Sequence, residues 1–138
     1  MAGYSATPLA KKLGIKSNFK ICLINAPGNY LELFTDMPAD VKFLSDKKSK
    51  KNFIHFFAKD INEYEKHIRN IKNEIEKDGI IWVSWYKKSA KIPTDLTEDI
   101  IRNTALSIGL VDIKVCAVDD VWSGLKLVIP VKDRKSLT

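Results

Sequence analysis

The segment IIWVSW, residues 80–85, limits the architecture of this 138-residue chain more than any other stretch. It contains no charged residue, and it has the length of a β-strand rather than that of a helix. A strand of this kind is buried on both faces, because its side chains are apolar or small whichever way they point. The sequence therefore predicts a sheet with further layers of structure packed on both sides.

Two amphipathic helices flank this strand in the sequence. The first begins with Asp60 and Glu63, which have the spacing of a capping box. Apolar residues then recur at helical spacing, and the pattern predicts a helix that ends near residues 78–79. The second helix is expected to begin at Thr94 or Asp95 and to end at residue 109. The buried stripes of the two helices would be Ile61, Tyr64, Ile68, Ile71 and Ile75, and Leu96, Ile100, Ile101, Thr104, Ala105 and Ile108.

Five further segments have the character of strands, at residues 19–24, 41–44, 53–58, 110–118 and 122–131. Strands that alternate with helices form parallel sheets with right-handed crossovers. The last two strands are joined by too few residues for a parallel crossover, so they must pair antiparallel. We therefore predict an α/β, Rossmann-like fold with a mostly parallel six-stranded sheet and helices on both faces. The closing hairpin adds one antiparallel strand to this sheet.

The whole chain, residues 1–138, is expected to form one domain. A short N-terminal helix is predicted at residues 7–14, with Thr7 as its cap and Gly14 as its end, and a frayed tail is predicted from about residue 132. No apolar run has the length of a signal peptide core or of a membrane span. We therefore place the protein in the cytoplasm and away from membranes.

The charge balance favours anionic partners. Lysine and arginine number 23 against 17 aspartate and glutamate residues, which gives a net charge of +6. Cys22 and Cys116 lie in separate apolar segments, and a cytoplasmic location predicts that both remain free thiols. His55 and His67 lie near no cysteine or pair of carboxylates, so no metal site is expected, and His55 is interpreted as structural.

Three segments carry a resemblance to a known family. They are GYSATPLAKKLGIK near the N-terminus, residues 78–105 with WVSW and KIPTDLTE, and residues 108–129 with VCAVDDVWSGLKLV. In these segments the chain resembles a small bacterial family known as a domain of unknown function, and the match covers nearly the whole chain. That family in turn resembles the class I S-adenosylmethionine (SAM)-dependent methyltransferases in the order of its strands and helices, in a shortened form. The resemblance implies the strand order 2-1-3-4-6-5 for the sheet, with the last strand antiparallel.

This resemblance implies a SAM site at the loop after the first strand, which is glycine-rich in methyltransferases so that the backbone can approach the cofactor. Here the loop is NAPGN, residues 25–29, with one glycine and a proline that lacks a backbone donor. The family also places an acidic residue at the end of the second strand. Asp46 is near that position, but it lies beside KKSKK, residues 47–51. The resemblance therefore implies SAM as the cofactor to test, at a site whose chemistry has changed.

Ligands of open α/β sheets bind at the carboxyl ends of the parallel strands, where the loops after the first, fourth and fifth strands would meet. Lysines beside a tryptophan and a tyrosine in the fourth loop suit a phosphate or a nucleotide. The same aromatic rings would also serve to anchor a solvated loop. The candidate ligand-binding residues are Asn25, Pro27, Gly28, Asn29, Trp85, Lys87, Lys88, Ser89, Lys91, Asp119 and Trp122.

Other polar groups have two interpretations each. Asp119 and Asp120 could act as a base or hold a cation, but adjacent acids at the tip of a hairpin are typical turn formers. The lysines of residues 47–51 fit a solvated loop or a patch that contacts phosphates. No catalytic residue is identified.

We favour a non-catalytic binding or regulatory domain that holds a small anionic or nucleotide-like ligand. The alternatives are an active small SAM-dependent methyltransferase with an atypical loop, and a nucleic-acid or protein interaction module. An enzyme would need a cavity that reaches Asn25 and Trp85 at once. A nucleic-acid module would need the lysines of residues 47–51 and 87–91 on one face. The sequence identifies no substrate and no oligomeric state.

Overall fold

The computed structural model describes residues 7–137, and in this part of the chain one six-stranded sheet carries helices on both faces. The strands are β1 (Lys20–Ile24), β2 (Lys42–Phe43), β3 (Lys51–Phe57), β4 (Ile75–Tyr86), β5 (Val111–Ala117) and β6 (Trp122–Val128). The α-helices are α1 (Leu9–Leu13), α2 (Ile61–Lys72) and α3 (Glu98–Ser107). Short 3-10 helices cover Tyr30–Leu33, Lys88–Ala90 and Val131–Leu137.

The strands lie in the predicted order, β2-β1-β3-β4-β6-β5. β1 pairs in parallel with β2 and β3, and β3 pairs in parallel with β4. β6 is antiparallel to both of its neighbours, β4 and β5, because a tight turn joins it to β5. The predicted fold class, including the single antiparallel strand, is confirmed.

The connection from β2 to β3 passes β1 without a helix. β2 has only two residues, and they pair with Lys20 and Ile21 at the start of β1. β3 reaches the same level at Phe53, which also pairs with Ile21. The chain therefore returns over only a short distance. Residues 44–50, which can span ~24 Å when extended, are sufficient for it.

Helices α2 and α3 cover one face of the sheet and enclose the largest buried cluster. The Tyr64 hydroxyl in α2 donates a hydrogen bond of 2.7 Å to the carbonyl oxygen of Ile101 in α3. Asp60 caps α2 as predicted, since its carboxylate accepts a hydrogen bond of 2.8 Å from the Glu63 amide. The Glu63 carboxylate in turn accepts one of 2.9 Å from the Lys59 amide.

Two predicted helix boundaries are wrong, and in both cases long-range hydrogen bonds are the reason. Helix α2 ends at Lys72, before residues 78–79, because the Lys51 amide donates to the Glu74 carbonyl and draws Ile75 into β4. Helix α3 begins at Glu98 and is capped by Thr97. Thr94 and Asp95 lie outside it, because their side chains bond to the backbone at residues 59 and 61.

Helix α1 lies on the opposite face and is capped from a distance. The Asp36 carboxylate accepts hydrogen bonds from the amides of Ala10 (2.9 Å) and Lys11 (3.0 Å). The prediction that Thr7 caps this helix is wrong, since its N-cap position is residue 8 and no side chain at that position caps it. Gly14 ends the helix at φ 89°, as predicted, and the Trp82 indole donates a 2.8 Å bond to the Leu13 carbonyl.

Residues 131–137 form a 3-10 helix, so the predicted frayed tail is wrong for them. The Arg134 guanidinium in this helix donates a hydrogen bond of 2.9 Å to the Ile129 carbonyl oxygen. Cys22 on β1 and Cys116 on β5 are free thiols, and three strands lie between β1 and β5. Between residues 7 and 137, no helix combines the length and the apolar character needed to cross a membrane.

Three polar side chains form a hydrogen-bonded chain inside the core. His55 on β3 is fully buried; its Nδ1 lies 2.9 Å from the Tyr30 hydroxyl and its Nε2 lies 2.7 Å from the Ser84 hydroxyl. The imidazole also stacks on Phe57, with ring centroids 4.2 Å apart. Burial lowers the pKa of His55 to about 3, so the ring is neutral. With both nitrogens bonded, His55 is a core residue, as the sequence suggests.

The buried histidine makes stability depend on pH. Its pKa lies below the ordinary value of about 6.5, so the unfolded chain takes up a proton at a higher pH than the folded chain does. Stability contributed by neutral His55 is present above pH ~6.5 and falls as the pH drops toward ~3. At pH 5 we expect a loss of about 2 kcal/mol relative to pH 7.

Urea unfolding at pH 7 and pH 5 measures this loss, and His55→Asn should reduce the pH difference. An equal pH difference in wild type and variant contradicts the assignment. If the variant does not fold, an NMR titration of His55 in the wild-type protein takes the place of the unfolding comparison. Protonation of the His55 imidazole near pH 6 in the folded protein would then contradict the assignment.

The bond between α2 and α3 makes a second prediction. Tyr64→Phe removes the hydroxyl and leaves the buried Ile101 carbonyl with one partner fewer, which should cost about 1 kcal/mol. For a domain of this size that lowers Tm by roughly 3–6 °C in a thermal melt. Tyr86→Phe is the matched control, since the described residues include no hydrogen-bond partner for the Tyr86 hydroxyl. An equal change in both variants would contradict the prediction.

Candidate functional site

A cavity of about 920 Å³ lies beside the carboxyl end of β4 and the start of α3. In a sheet of this kind the carboxyl ends of the parallel strands are the usual place for a ligand. Residues from β4, from the loop that follows it, from the first turn of α3 and from β6 form its walls. They are Trp85, Tyr86, Lys87, Lys88, Ser89, Lys91, Ile92, Pro93, Thr94, Leu96, Thr97, Glu98, Asp99 and Ser123.

Backbone hydrogen bonds fix the lysine-rich wall of this cavity. The Lys87 amide donates a hydrogen bond of 2.8 Å to the Val121 carbonyl at the tip of the β5–β6 hairpin. Residues 88–90 then form one 3-10 turn, and Lys91 ends it with φ 58°. A left-handed conformation is uncommon outside glycine, so the loop has a defined shape here. The cavity wall is thus a bonded turn.

The opposite wall is attached to α2. The Thr94 hydroxyl donates a hydrogen bond of 2.6 Å to the Lys59 carbonyl, and the Asp95 carboxylate accepts a hydrogen bond of 2.9 Å from the Ile61 amide. Asp95 therefore satisfies an N-terminal amide of α2, and the sequence-based assignment of Asp95 to the start of a helix missed this role. Thr97 caps α3 by accepting from the Ile100 amide. These bonds hold the two helix starts together at the cavity.

The charges in the cavity are of both signs, but they are not equivalent. Glu98 and Asp99 both form ion pairs with Arg102, which also bonds to Asp112 at 3.0 Å. Hydrogen bonds to Asp112 and Glu98 raise the pKa of Arg102, so it remains charged. Among residues 7–137, Lys88 and Lys91 enter no recorded ion pair. An anion entering the cavity would therefore meet its unpaired cations on the loop side.

The two candidate tryptophans belong to the core. Trp85 is only 9% exposed and packs in the cluster under α2 and α3. Trp122 stacks on Tyr86, with centroids 4.4 Å apart, and meets Phe57 edge-to-face at 4.9 Å. Trp85 contributes to the cavity wall and Trp122 does not. The contacts of Trp85 and Tyr86 favour the anchoring role that the sequence suggests for these two side chains.

The loop after β1 does not line the 920 Å³ cavity, so the cavity does not join Asn25 to Trp85. Asn25 leaves the strand with φ 57°, and Gly28 and Asn29 are exposed while Pro27 is half-buried. A helix does begin at residue 30, but it is a 3-10 helix of four residues. Its first side chain, the buried Tyr30, packs into a cluster with Phe57, Val118 and Trp122.

The candidate acids have structural partners. The Asp119 carboxylate accepts hydrogen bonds from the amides of Val121 (2.8 Å) and Trp122 (2.9 Å), which makes it a turn former. Asp46 lies in the connection back to β3, and its carboxylate accepts 2.8 Å from the Ser49 amide. That bond lowers the pKa of Asp46. Neither acid lines the cavity.

The lysines of residues 47–51 are not one solvated group, since Lys51 is fully buried. Its ammonium lies 2.9 Å from a carboxylate oxygen of Glu74 and also donates to the Asp46 carbonyl. Residues 47–50 precede β3, whereas residues 87–91 follow β4, which is parallel to β3. The two lysine segments therefore lie at opposite ends of these parallel strands. The structure does not bring them together at one end of the sheet, as a nucleic-acid face built from both would require.

Comparison by sequence gives no relatives, since neither a protein-family model nor a curated protein matches the chain. The resemblance to a small bacterial family therefore stays a prediction.

Comparison by structure gives several neighbours of one kind. The first is magnesium protoporphyrin IX methyltransferase from Synechocystis PCC 6803 with bound S-adenosylhomocysteine (SAH): 10% identity, TM-score 0.60, 88% of this chain and 78% of that one. The second is ribosomal protein L11 methylase from Lactobacillus delbrueckii subsp. bulgaricus, with 9% identity and a TM-score of 0.57; the match covers 87% of this chain and 74% of that one. The third is a TehB-like SAM-dependent methyltransferase from Corynebacterium glutamicum, with 12% identity and a TM-score of 0.56; the match covers 94% of this chain and 91% of that one.

Identities this low show the fold and leave the activity open. The order β2-β1-β3-β4-β6-β5 and these neighbours agree on one architecture. The chain has the Rossmann-like fold of the class I SAM-dependent methyltransferases.

Proposed function

We propose that this domain binds a small anionic or nucleotide-like ligand in the cavity between the β4 loop and α3, and that it does not transfer a methyl group. The observation that carries the proposal is the cavity itself. It lies at the carboxyl end of β4, and its loop side presents Lys88 and Lys91 beside apolar side chains. Such a combination suits a ligand with a phosphate or carboxylate at one end and a less polar body.

The two sides of the cavity give the ligand a direction. Lys88 and Lys91 attract an anion to the loop side. Glu98 and Asp99 lie on the α3 side and are paired with Arg102. The α3 side therefore repels an anionic ligand less than two unpaired carboxylates would. Apolar surface from Ile92, which is 39% exposed, is available to the uncharged part of the ligand.

The loop after β1 supports the non-catalytic part of the proposal. The methyltransferases that this chain resembles bind their cofactor at this loop, where several glycines let the backbone approach it. Here Gly28 is exposed, and the buried Tyr30 packs directly after the loop. The 920 Å³ cavity is not lined by residues 25–29. The proposed ligand therefore binds at a different place from a methyltransferase cofactor.

Active methyl transfer is the second candidate, and the fold favours it. One structural neighbour, the magnesium protoporphyrin IX methyltransferase, has been solved with bound SAH and with bound SAM. If this chain also used SAM, the loop at residues 25–29 would have to bind it without the missing glycines. The two candidates then differ in which ligand binds and in which residues it needs.

Thermal melts with three probes separate the candidates. AMP, adenosine and SAH are each added at about 5 mM to the wild type. If AMP is a hundredfold above its dissociation constant, it should add about 2.7 kcal/mol, a rise in Tm of roughly 8–16 °C. Adenosine should give a much smaller shift because it lacks the phosphate, and SAH should give none.

Paired variants locate the binding. Lys88→Gln with Lys91→Gln should abolish the shift caused by AMP. The double variant Lys47→Gln with Lys48→Gln loses the same charge from an exposed segment outside the cavity, and AMP should still raise its Tm as in the wild type. A shift with SAH that survives the loss of Lys88 and Lys91 would favour methyl transfer. No shift with any probe, or equal losses in both double variants, would contradict the proposal.

A further inference from the structure

A group of lysines lies on the face of the sheet that carries α1, away from the lysines of residues 47–51. We call it the basic face and define it by Lys12, Lys16, Lys87, Lys114 and Lys126. Lys126 on β6 pairs directly with Trp82 on β4, and Trp82 contacts α1, so Lys126 points toward the α1 side. Lys12 belongs to α1 and donates 2.8 Å to the Ala117 carbonyl of β5. The face therefore spans a helix and the outer strands.

Two of these lysines oppose each other in the sheet. Lys114 and Lys126 are direct partners in the antiparallel β5–β6 ladder. Side chains of directly opposed residues lie on the same face about 5 Å apart, and like charges at such positions destabilise the pairing. The fold therefore keeps an unfavourable pair of cations on this face.

The pKa directions of Lys126 and Cys116 agree with this placement of the lysines. The pKa of Lys126 is lowered by partial burial, and then by Lys114 and Lys16. Burial raises the pKa of Cys116, and the lysines that oppose this effect are Lys12, Lys114 and Lys87. Among residues 7–137, the charged groups that shift these two pKa values, other than by burial, are all lysines. The ion pairs recorded in this part of the chain include none of Lys12, Lys16, Lys114 and Lys126.

The shape of the basic face favours a large anion. The 920 Å³ cavity takes in Lys87 and none of the other four lysines. The charges stand on α1, β5 and β6 and after β4, so one small phosphate cannot reach all of them from a common pocket. Lysines are point charges that suit phosphate oxygens without fixing their geometry. A row of phosphates matches this spread better than a single anion does.

The neighbouring aromatic rings favour a duplex. Proteins that bind single strands usually stack bases on exposed aromatic side chains. Tyr86 and Trp122, the rings at the end of this face, are stacked on each other, and Trp122 is 7% exposed. Contacts from this face would therefore go to the phosphate backbone, which carries no sequence information.

We propose that the basic face binds the phosphate backbone of double-stranded nucleic acid without sequence preference. This face shares only Lys87 with the cavity beside β4 and α3. Its binding should weaken with salt, because each neutralised phosphate releases counterions.

Fluorescence anisotropy with a labelled DNA duplex of about 20 base pairs tests this proposal, with salt varied from about 50 to 200 mM. In the test variant Lys16, Lys114 and Lys126 become glutamine. In the matched control Lys47, Lys48 and Lys66 become glutamine, so both proteins lose the same charge at exposed or partly exposed positions. The test variant should bind at least about tenfold more weakly at 50 mM salt. Its slope of log K against log salt should be shallower by about 2 to 3.

The control variant should keep most of the affinity and the wild-type slope. The test variant should melt no lower than the wild type, because it loses the Lys114–Lys126 repulsion. No binding of the wild type to the duplex at about 50 mM salt and 100 μM protein would overturn the proposal. Equal losses in the two variants would overturn it as well, and so would tight binding of inorganic tripolyphosphate without binding of the duplex.

Discussion

The pairing of β3 with β4 is the constraint on which the rest of the structure depends. These parallel strands lie in the middle of the sheet and are covered on both faces, so every polar group on them needs an internal partner. His55 and Ser84 meet this need through Tyr30, and Lys51 meets it through Glu74. The same pairing places the loop after β4 at the carboxyl edge of the sheet. The helices, the cavity and the basic face are all arranged around these two strands.

The sequence predicts the strands well, because the signals for them are local. A strand buried on both faces, alternating helices and one tight turn predict a mostly parallel sheet with one antiparallel strand. The order of the strands, which the structure confirms, came from the resemblance to methyltransferases. Predicted boundaries fail where a hydrogen bond joins residues that are distant in the sequence. Asp36 caps α1, Asp95 satisfies an amide of α2, and the Glu74 carbonyl pairs with the Lys51 amide at the start of β3, at separations of 23 to 34 residues. Contacts of this kind leave no periodic pattern in the sequence.

The candidate site was predicted in part, for related reasons. Lys88 and Lys91 reach the cavity because they follow a strand whose end is easy to locate. Asp119 does not reach it, because its carboxylate is used by the amides of its own turn. Lys114 and Lys126 were missed. They are separated along the chain, and only the β5–β6 register shows that they are opposed. Pairing register is a tertiary property that charge counts do not contain.

We propose that a ligand binds in the cavity beside β4 and α3 and not at the loop after β1. Backbone amide NMR spectra recorded during titration with AMP, and separately with SAH, test it most directly. The account predicts that AMP shifts the amides of residues 85–99 and leaves residues 25–29 unchanged, while SAH shifts neither group. Shifts at residues 25–29 on addition of SAH would contradict it, and would assign the cofactor site of a methyltransferase to this chain.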